Sequence, residues 1–145
     1  MRKRTLARDY ALKILYQAEM TKRDTQITSG KFWSYLESEG PLDAETKEFS
    51  QRLVDGVGTN MEKIDEKISN YATNWQLKRM AVIDRNILRM GVFELIFAPD
   101  IPPKVTINEA VELAKRYGDL DSSKFVNGIL DKIHKIEVVP QGLKT

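Results

Sequence analysis

The sequence predicts an all-α protein: a single compact domain of about seven helices, with two small helical subdomains around one central apolar helix. Three observations carry this. Apolar residues recur three and four apart along almost every segment, and no segment sustains the alternation of a half-buried strand. Glycine and proline fall between these periodic stretches, where helices stop. One long stretch, Leu77 to Phe97, is apolar around most of its circumference and must be enclosed by other helices.

The elements follow in order. The first helix runs from about Thr5 to Met20, with Ala7, Ala11, Ile14, Leu15 and Ala18 on one face. Arg4 and Arg8 lie one turn apart on a neighbouring, exposed face. A short second helix follows Gly30, carries Phe32, Trp33 and Leu36, and ends at Gly40 and Pro41. Asp43 caps a third, Ala44 to Val57, which buries Phe49, Leu53, Val54 and Val57. Gly56 and Gly58 weaken its end. Asn60 caps a fourth, with Met61, Ile64, Ile68 and Tyr71 in helical register.

The fifth helix is the central one. Its polar residues Asp84, Arg85, Asn86, Arg89 and Glu94 need internal partners, because unpaired buried charge is costly. Pro99, Pro102 and Pro103 impose an extended break. The sixth helix, Ile107 to Tyr117, stops at Gly118 in the C′ position, and the seventh starts near Ser122 or Ser123. Phe125, Val126, Ile129, Leu130 and Ile133 form its buried stripe. Residues 1–137 are read as the domain and 138–145 as a frayed tail, with seams expected near Thr73-Asn74 and at the proline break.

Composition removes several classes of function. An apolar share of 41% and a charged share of 30% over 145 residues describe an ordinary globular domain rather than a disordered chain. No apolar run approaches the ~20 residues that span a bilayer. The basic start is followed by Arg8, Asp9 and Lys13 where an export signal needs an apolar segment. The absence of cysteine rules out disulfides, thiol nucleophiles and cysteine metal sites, and the cytoplasm is the expected compartment. No phosphate-binding glycine loop occurs. His134 has no second ligand beside it, and the Asp119–Asp121 turn lacks the bidentate acid of a calcium loop. Ser123 and Lys124 are adjacent in a helix and do not face each other. No metal, cofactor or catalysis is therefore expected.

Two patterns point to a polyanion. The first thirteen residues hold Arg2, Lys3, Arg4, Arg8 and Lys13 against Asp9 alone, in a chain whose net charge is only +2. A basic end on a near-neutral body suits docking on nucleic acid, although a solvated leader has the same composition. Lys124 and Phe125 open the last helix, and a cation beside an aromatic ring suits unstacked bases and their phosphates. A phenylalanine that only closes the core fits equally well. Composition and spacing leave that choice open.

A longer run supplies more. Ile101 to Lys132, reading IPPKVTINEAVELAKRYGDLDSSKFVNGILDK, resembles the signature of the NusB family of bacterial transcription factors. Arg8 to Gln17 (RDYALKILYQ) is similar to the family's first helix, and Asp84 to Leu95 (DRNILRMGVFEL) to its central one. The resemblance implies an all-helical, non-enzymatic protein that binds boxA RNA together with NusE, a small-subunit ribosomal protein. It implies a place in the RNA polymerase antitermination complex, chiefly during ribosomal RNA synthesis in the bacterial cytoplasm. Arg2, Lys3, Arg4 and Arg8 fall in the basic start that holds phosphates. Asp121, Ser122, Lys124 and Phe125 match the RNA-facing turn, with the Phe125 ring on a base. Tyr16 matches an aromatic at the edge of the basic face, and Asp84 an acidic position on the NusE-facing side. The basic start is thinner than in some relatives, with Thr5 and Leu6 where an arginine run can continue.

Three other readings stay open on the residues. One is a truncated NusB-like domain of a ribosomal RNA cytosine methyltransferase. Another is a helical protein-interaction module with an incidental basic end. The third is a helix-turn-helix binder of duplex DNA. Monomer and homodimer are both open, since apolar helix surface can self-associate.

Overall fold

Asp24 shows how local chemistry sets the first boundaries. Its Oδ1 accepts the backbone N–H groups of Gln26 and Ile27 at 2.7 and 3.4 Å and so starts a helix at Thr25. In the structure, a computed structural model that describes residues 2–72 and 77–141, this second helix therefore begins before Gly30, which sits inside it. The elements are α1 (Lys3–Thr21), α2 (Thr25–Glu39), α3 (Ala44–Thr59), α4 (Met61–Tyr71), α5 (Val82–Val92), α6 (Pro103–Tyr117) and α7 (Ser122–Ile133). Among the described residues there is no strand.

Contacts divide the chain into two compact units, Met1–Thr59 and Asn60–Thr145. The boundary falls between α3 and α4, where Gly56 and Gly58 weaken the end of α3. It does not fall at the proline break. Ile101 and Pro103 are buried and α6 packs on α5, which keeps both flanks of the prolines in one unit. The seam expected at Thr73-Asn74 lies outside the described residues.

In the first unit α1 packs on α3 and α2. Ala7, Ala11, Ile14 and Leu15 meet Leu53, Val54 and Val57 in a core with almost no exposed surface. A buried leucine or valine of this kind contributes about 1.5–3 kcal/mol. Trp33 of α2 packs edge-on to Tyr10 and Phe32, with centroids at 5.9 and 5.2 Å, and its Nε1 donates to Gln51 Oε1 at 2.6 Å. The carboxylate of Asp43 accepts the Thr46 backbone N–H at 2.9 Å and caps α3 as expected.

In the second unit α5 is central and packs on α4, α6 and α7. The expected single helix over Leu77–Phe97 is three pieces: a 3-10 turn at Leu77–Arg79, α5, and a π-helical turn at Phe93–Phe97. Extended backbone at Ala81, φ −57° and ψ 139°, makes the first break. Most of the internal polar groups are paired as anticipated. The Arg89 guanidinium holds Asp65 through two bonds of 2.8 and 3.0 Å, and Glu94 accepts the Thr106 hydroxyl at 2.7 Å. The guanidinium of Arg85 donates to the carbonyls of Leu77 and Met80 at 2.8 and 3.2 Å.

Two endings differ from expectation. Gly118 is extended, with φ −90°, rather than left-handed. Glycine is needed there for room: a Cβ would lie 2.4 Å from the Ser122 hydroxyl and 2.8 Å from the Ala114 carbonyl. The chain also stays helical past Ile133, through a π-helical turn at His134–Val138 and a 3-10 turn at Val139–Gln141. Val138 is fully buried, and Glu137 accepts a hydrogen bond from Lys67, so the segment assigned to a frayed tail begins packed.

Candidate nucleic-acid interface

The basic start occupies the exposed end of α1, where Arg2 precedes the first turn. Arg4 is exposed, and its guanidinium carbon lies 4.3 Å from the centroid of the Phe49 ring on α3. Lys3, Arg4, Phe49, Arg52, Glu45 and Glu48 line a groove of about 410 Å³. Lys3 is engaged by acids in this groove, with its Nζ 3.3 Å from both Asp43 Oδ1 and Glu45 Oε2. Hydrogen bonds to Glu45 and Asp43 raise the Lys3 pKa. Hydrogen bonds from the Thr46 backbone and hydroxyl, with help from Lys3, lower that of Asp43. Such exposed pairs are weak, and a phosphate competes with them readily.

Arg8 departs from its expected exposed position. It is 2% exposed, and its guanidinium carbon lies 5.2 Å from the same Phe49 ring. One turn of α1 separates it from Arg4, and that turn carries it from the surface into the packing around α3. Tyr16 lies two turns further along and is 37% exposed. The sequence gives no cue to Phe49 as the common platform, because it reads simply as a core residue of α3.

The second cluster forms where the N-terminal end of α5 meets the turn between α6 and α7. Asp84, Asp121, Ser122 and Phe125, all singled out from the sequence, line one cavity of about 360 Å³ together with Arg79 and Met80. The turn is fastened internally: Asp119 Oδ1 accepts the Asp121 backbone N–H at 3.0 Å and the Ser122 hydroxyl at 3.2 Å. The α7 start is thereby held in place. Phe125 is half-buried, unlike Val126, Ile129 and Leu130, which are closed into the core. Lys124 beside it is exposed and pairs with no acid among the described residues.

Asp84 is 9% exposed. Burial pushes its carboxyl above the usual range. A hydrogen bond from Ser122 opposes this, and the Asp119 charge adds to it. Its Oδ1 is buried with no hydrogen-bond partner among the described residues. Burial without a partner penalises the ionised form most. The sequence does not single out Arg79 and Met80, because it reads both as part of one long central helix with no motif around them. Among the described residues no group of three or more acids and histidines is arranged to hold a metal ion, and no helix is long and apolar enough to cross a membrane.

Fold and surface together define an all-helical protein in which Arg4 and Arg8 lie over the Phe49 ring and Arg79 and Phe125 line one cavity, residue types that suit an unstacked polyanion. The NusB family model matches residues 5–135, and the chain belongs to that family. A transcription antitermination protein NusB of Myxococcus xanthus is 46% identical over 130 residues, covering 90% of this chain and 93% of the relative. The structure of T. maritima NusB superposes with a TM-score of 0.84 at 40% identity, covering 97% of this chain and 95% of that one. A crystal structure of antitermination factors NusB and NusE in complex with dsRNA superposes with a TM-score of 0.81 at 32% identity, covering 93% of this chain and 98% of its match.

Proposed function

We propose that this protein is a non-catalytic transcription antitermination factor of the bacterial cytoplasm that binds boxA-type RNA jointly with NusE. It acts within the RNA polymerase antitermination complex and supports ribosomal RNA synthesis. Arg2, Lys3 and Arg4 meet phosphates, and Lys124 and Phe125 meet an unpaired stretch of the strand. RNA and the partner protein each strengthen binding of the other, through a coupling that is reciprocal by thermodynamic necessity. The single observation that carries this reading is the cavity that gathers Asp84, Asp121, Ser122 and Phe125 at the start of α7. Family membership and the structural neighbour that holds NusE and RNA support it.

The test is a binding panel: the protein with and without NusE, on single-stranded boxA-type RNA, scrambled RNA, duplex RNA and duplex DNA. Preference for boxA-type RNA, sharpened by NusE, is the expected result. Affinity should fall with salt, by about 0.7 in log–log slope for each phosphate contacted on a single strand. Phe125→Ala should cost about 1–3 kcal/mol of RNA affinity if its ring stacks on a base. Circular dichroism of the same sample separates that loss from unfolding. No protection of boxA-type RNA, together with partner capture indifferent to nuclease, would replace this reading with the protein-interaction module. Preference for duplex DNA would replace it with a DNA binder. A homodimer would show as a concentration-dependent mass in sedimentation.

A further inference from the structure

Resting on that reading, we propose that Asp43 and Glu45 stand in for phosphate at Lys3, so that the basic start of α1 is masked until RNA displaces them. Lys3 Nζ lies 3.3 Å from Asp43 Oδ1 and 3.3 Å from Glu45 Oε2. The Asp43 carboxylate divides its oxygens between two tasks. Its Oδ2 accepts the Thr46 backbone N–H and hydroxyl at 2.9 and 3.0 Å, which leaves Oδ1 for Lys3. The start of α3 therefore fixes one of the two acids in place. All three side chains are exposed, so a phosphate oxygen can reach the ammonium from solvent. Arg4, the next residue, differs: its guanidinium rests on Phe49 and pairs with no acid among the described residues.

These contacts form a releasable clasp. An ammonium on a flexible stem changes partners without giving up a fixed fork of bonds, which an arginine held bidentately by a carboxylate would lose. Exposed ion pairs are weak, so the clasp lowers RNA affinity without abolishing it. The neighbours set the order of events. Arg4 is open to the first phosphate, and the strand it holds brings further phosphates close to Lys3, which then exchanges carboxylates for phosphate. The exchange also leaves a mark in the salt dependence. An unpaired lysine that neutralises a phosphate releases a counterion from the strand. Lys3 instead uncovers two carboxylates as it binds, and these recruit cations back, which cancels its share of the salt slope. Glu48 lines the same groove but forms no ion pair with Lys3, so it carries the same charge outside the clasp.

The experiment measures the affinity of the full chain for a boxA-type RNA, with and without NusE, over a series of salt concentrations. Asp43→Ser keeps a side-chain oxygen to cap α3, so both acids can be neutralised in a folded chain, as circular dichroism will show. Glu45→Gln should bind RNA about two- to fivefold tighter, and Asp43→Ser combined with Glu45→Gln about tenfold tighter. The combined variant should also steepen the log–log salt slope by about 0.7, because Lys3 then binds as an unpaired cation. Glu48→Gln removes the same charge without releasing Lys3 and should gain less than Glu45→Gln. The gains from Asp43→Ser and Glu45→Gln should collapse in a Lys3→Gln background. Affinities no better than wild type in the unmasked variants would show the clasp to be only a tether between α1 and α3, and would overturn the mask. An equal gain from Glu48→Gln, or a gain that survives Lys3→Gln, would overturn it too, since either belongs to bulk charge. All three results leave the RNA reading standing. Failure of the wild-type protein to bind the RNA even with NusE would remove both.

Discussion

Gly91→Ala tests whether the crossing of α5 and α7, the helices that bring Asp84 and Phe125 to the cavity, is as tight as its geometry implies. A Cβ on Gly91 would lie 2.7 and 2.9 Å from the two methyls of Leu130 and 3.4 Å from its Cγ. Leu130 is fully buried, so the methyls have no empty space to enter. Forcing one methyl into a packed core costs about 1–3 kcal/mol. Replacing glycine by alanine inside a helix returns about 1 kcal/mol. The net is a loss of ~1 kcal/mol, which at this chain length lowers the melting temperature by about 2–4 °C. Leu130→Ala alone removes a buried side chain and should cost about 2–5 kcal/mol. In the double variant the new methyl occupies part of that space, so the losses should fall short of additive by about 1–3 kcal/mol. Urea unfolding of the four proteins measures this. Additivity within ~0.5 kcal/mol, or a Gly91→Ala protein more stable than wild type, would show that the two helices do not press together here.

Four further outcomes can be checked. Burial opposes ionisation of Glu137, but hydrogen bonds from Lys67 and Tyr71 outweigh it and hold its pKa below the usual 4.5. This stabilisation is present above that value and lost as pH falls through the lowered one, so Glu137→Gln should melt earlier at pH 7 and match wild type in strong acid. The bond to Glu137, with burial and the Glu137 charge, pushes Tyr71 from 10.0 to about 12. Stability should hold below pH 10.0 and fall toward pH 12, and Tyr71→Phe should flatten that alkaline slope in melting curves. The Asp84 carboxyl is raised instead, so its ionisation destabilises the fold; Asp84→Asn should melt higher than wild type at neutral pH, with the gap closing on acidification. Arg8→Ala should lose about 2 kcal/mol of folding stability if the buried guanidinium is held on Phe49, and an unchanged urea midpoint would contradict that packing.

Helix content was legible because the apolar period is helical throughout, and α4 has the extent its register predicts. Boundaries set by a single side chain were harder to see. The start of α2 depends on Asp24, which the reading passed over in favour of Gly30. Wider and tighter turns left no mark on the pattern either, so the central helix read as one piece although its ends are 3-10 and π-helical. At the corner, Asp121, Ser122, Lys124 and Phe125 are neighbours in sequence and were found together. Arg79 and Asp84 join them only through tertiary packing. Arg8 was misjudged for the same reason: its burial depends on Phe49, far along the chain and on another helix.

The contact of Arg4 with Phe49 has a consequence for binding kinetics and thermodynamics. A long flexible cation usually forfeits about 0.5–1.5 kcal/mol of motional freedom when a ligand fixes it. Here the ring has already restrained the guanidinium 4.3 Å above its centre while the side chain remains open to solvent. An arriving anion therefore meets a donor whose orientation was settled during folding, and the gain should appear in the entropy of association rather than in any additional contact.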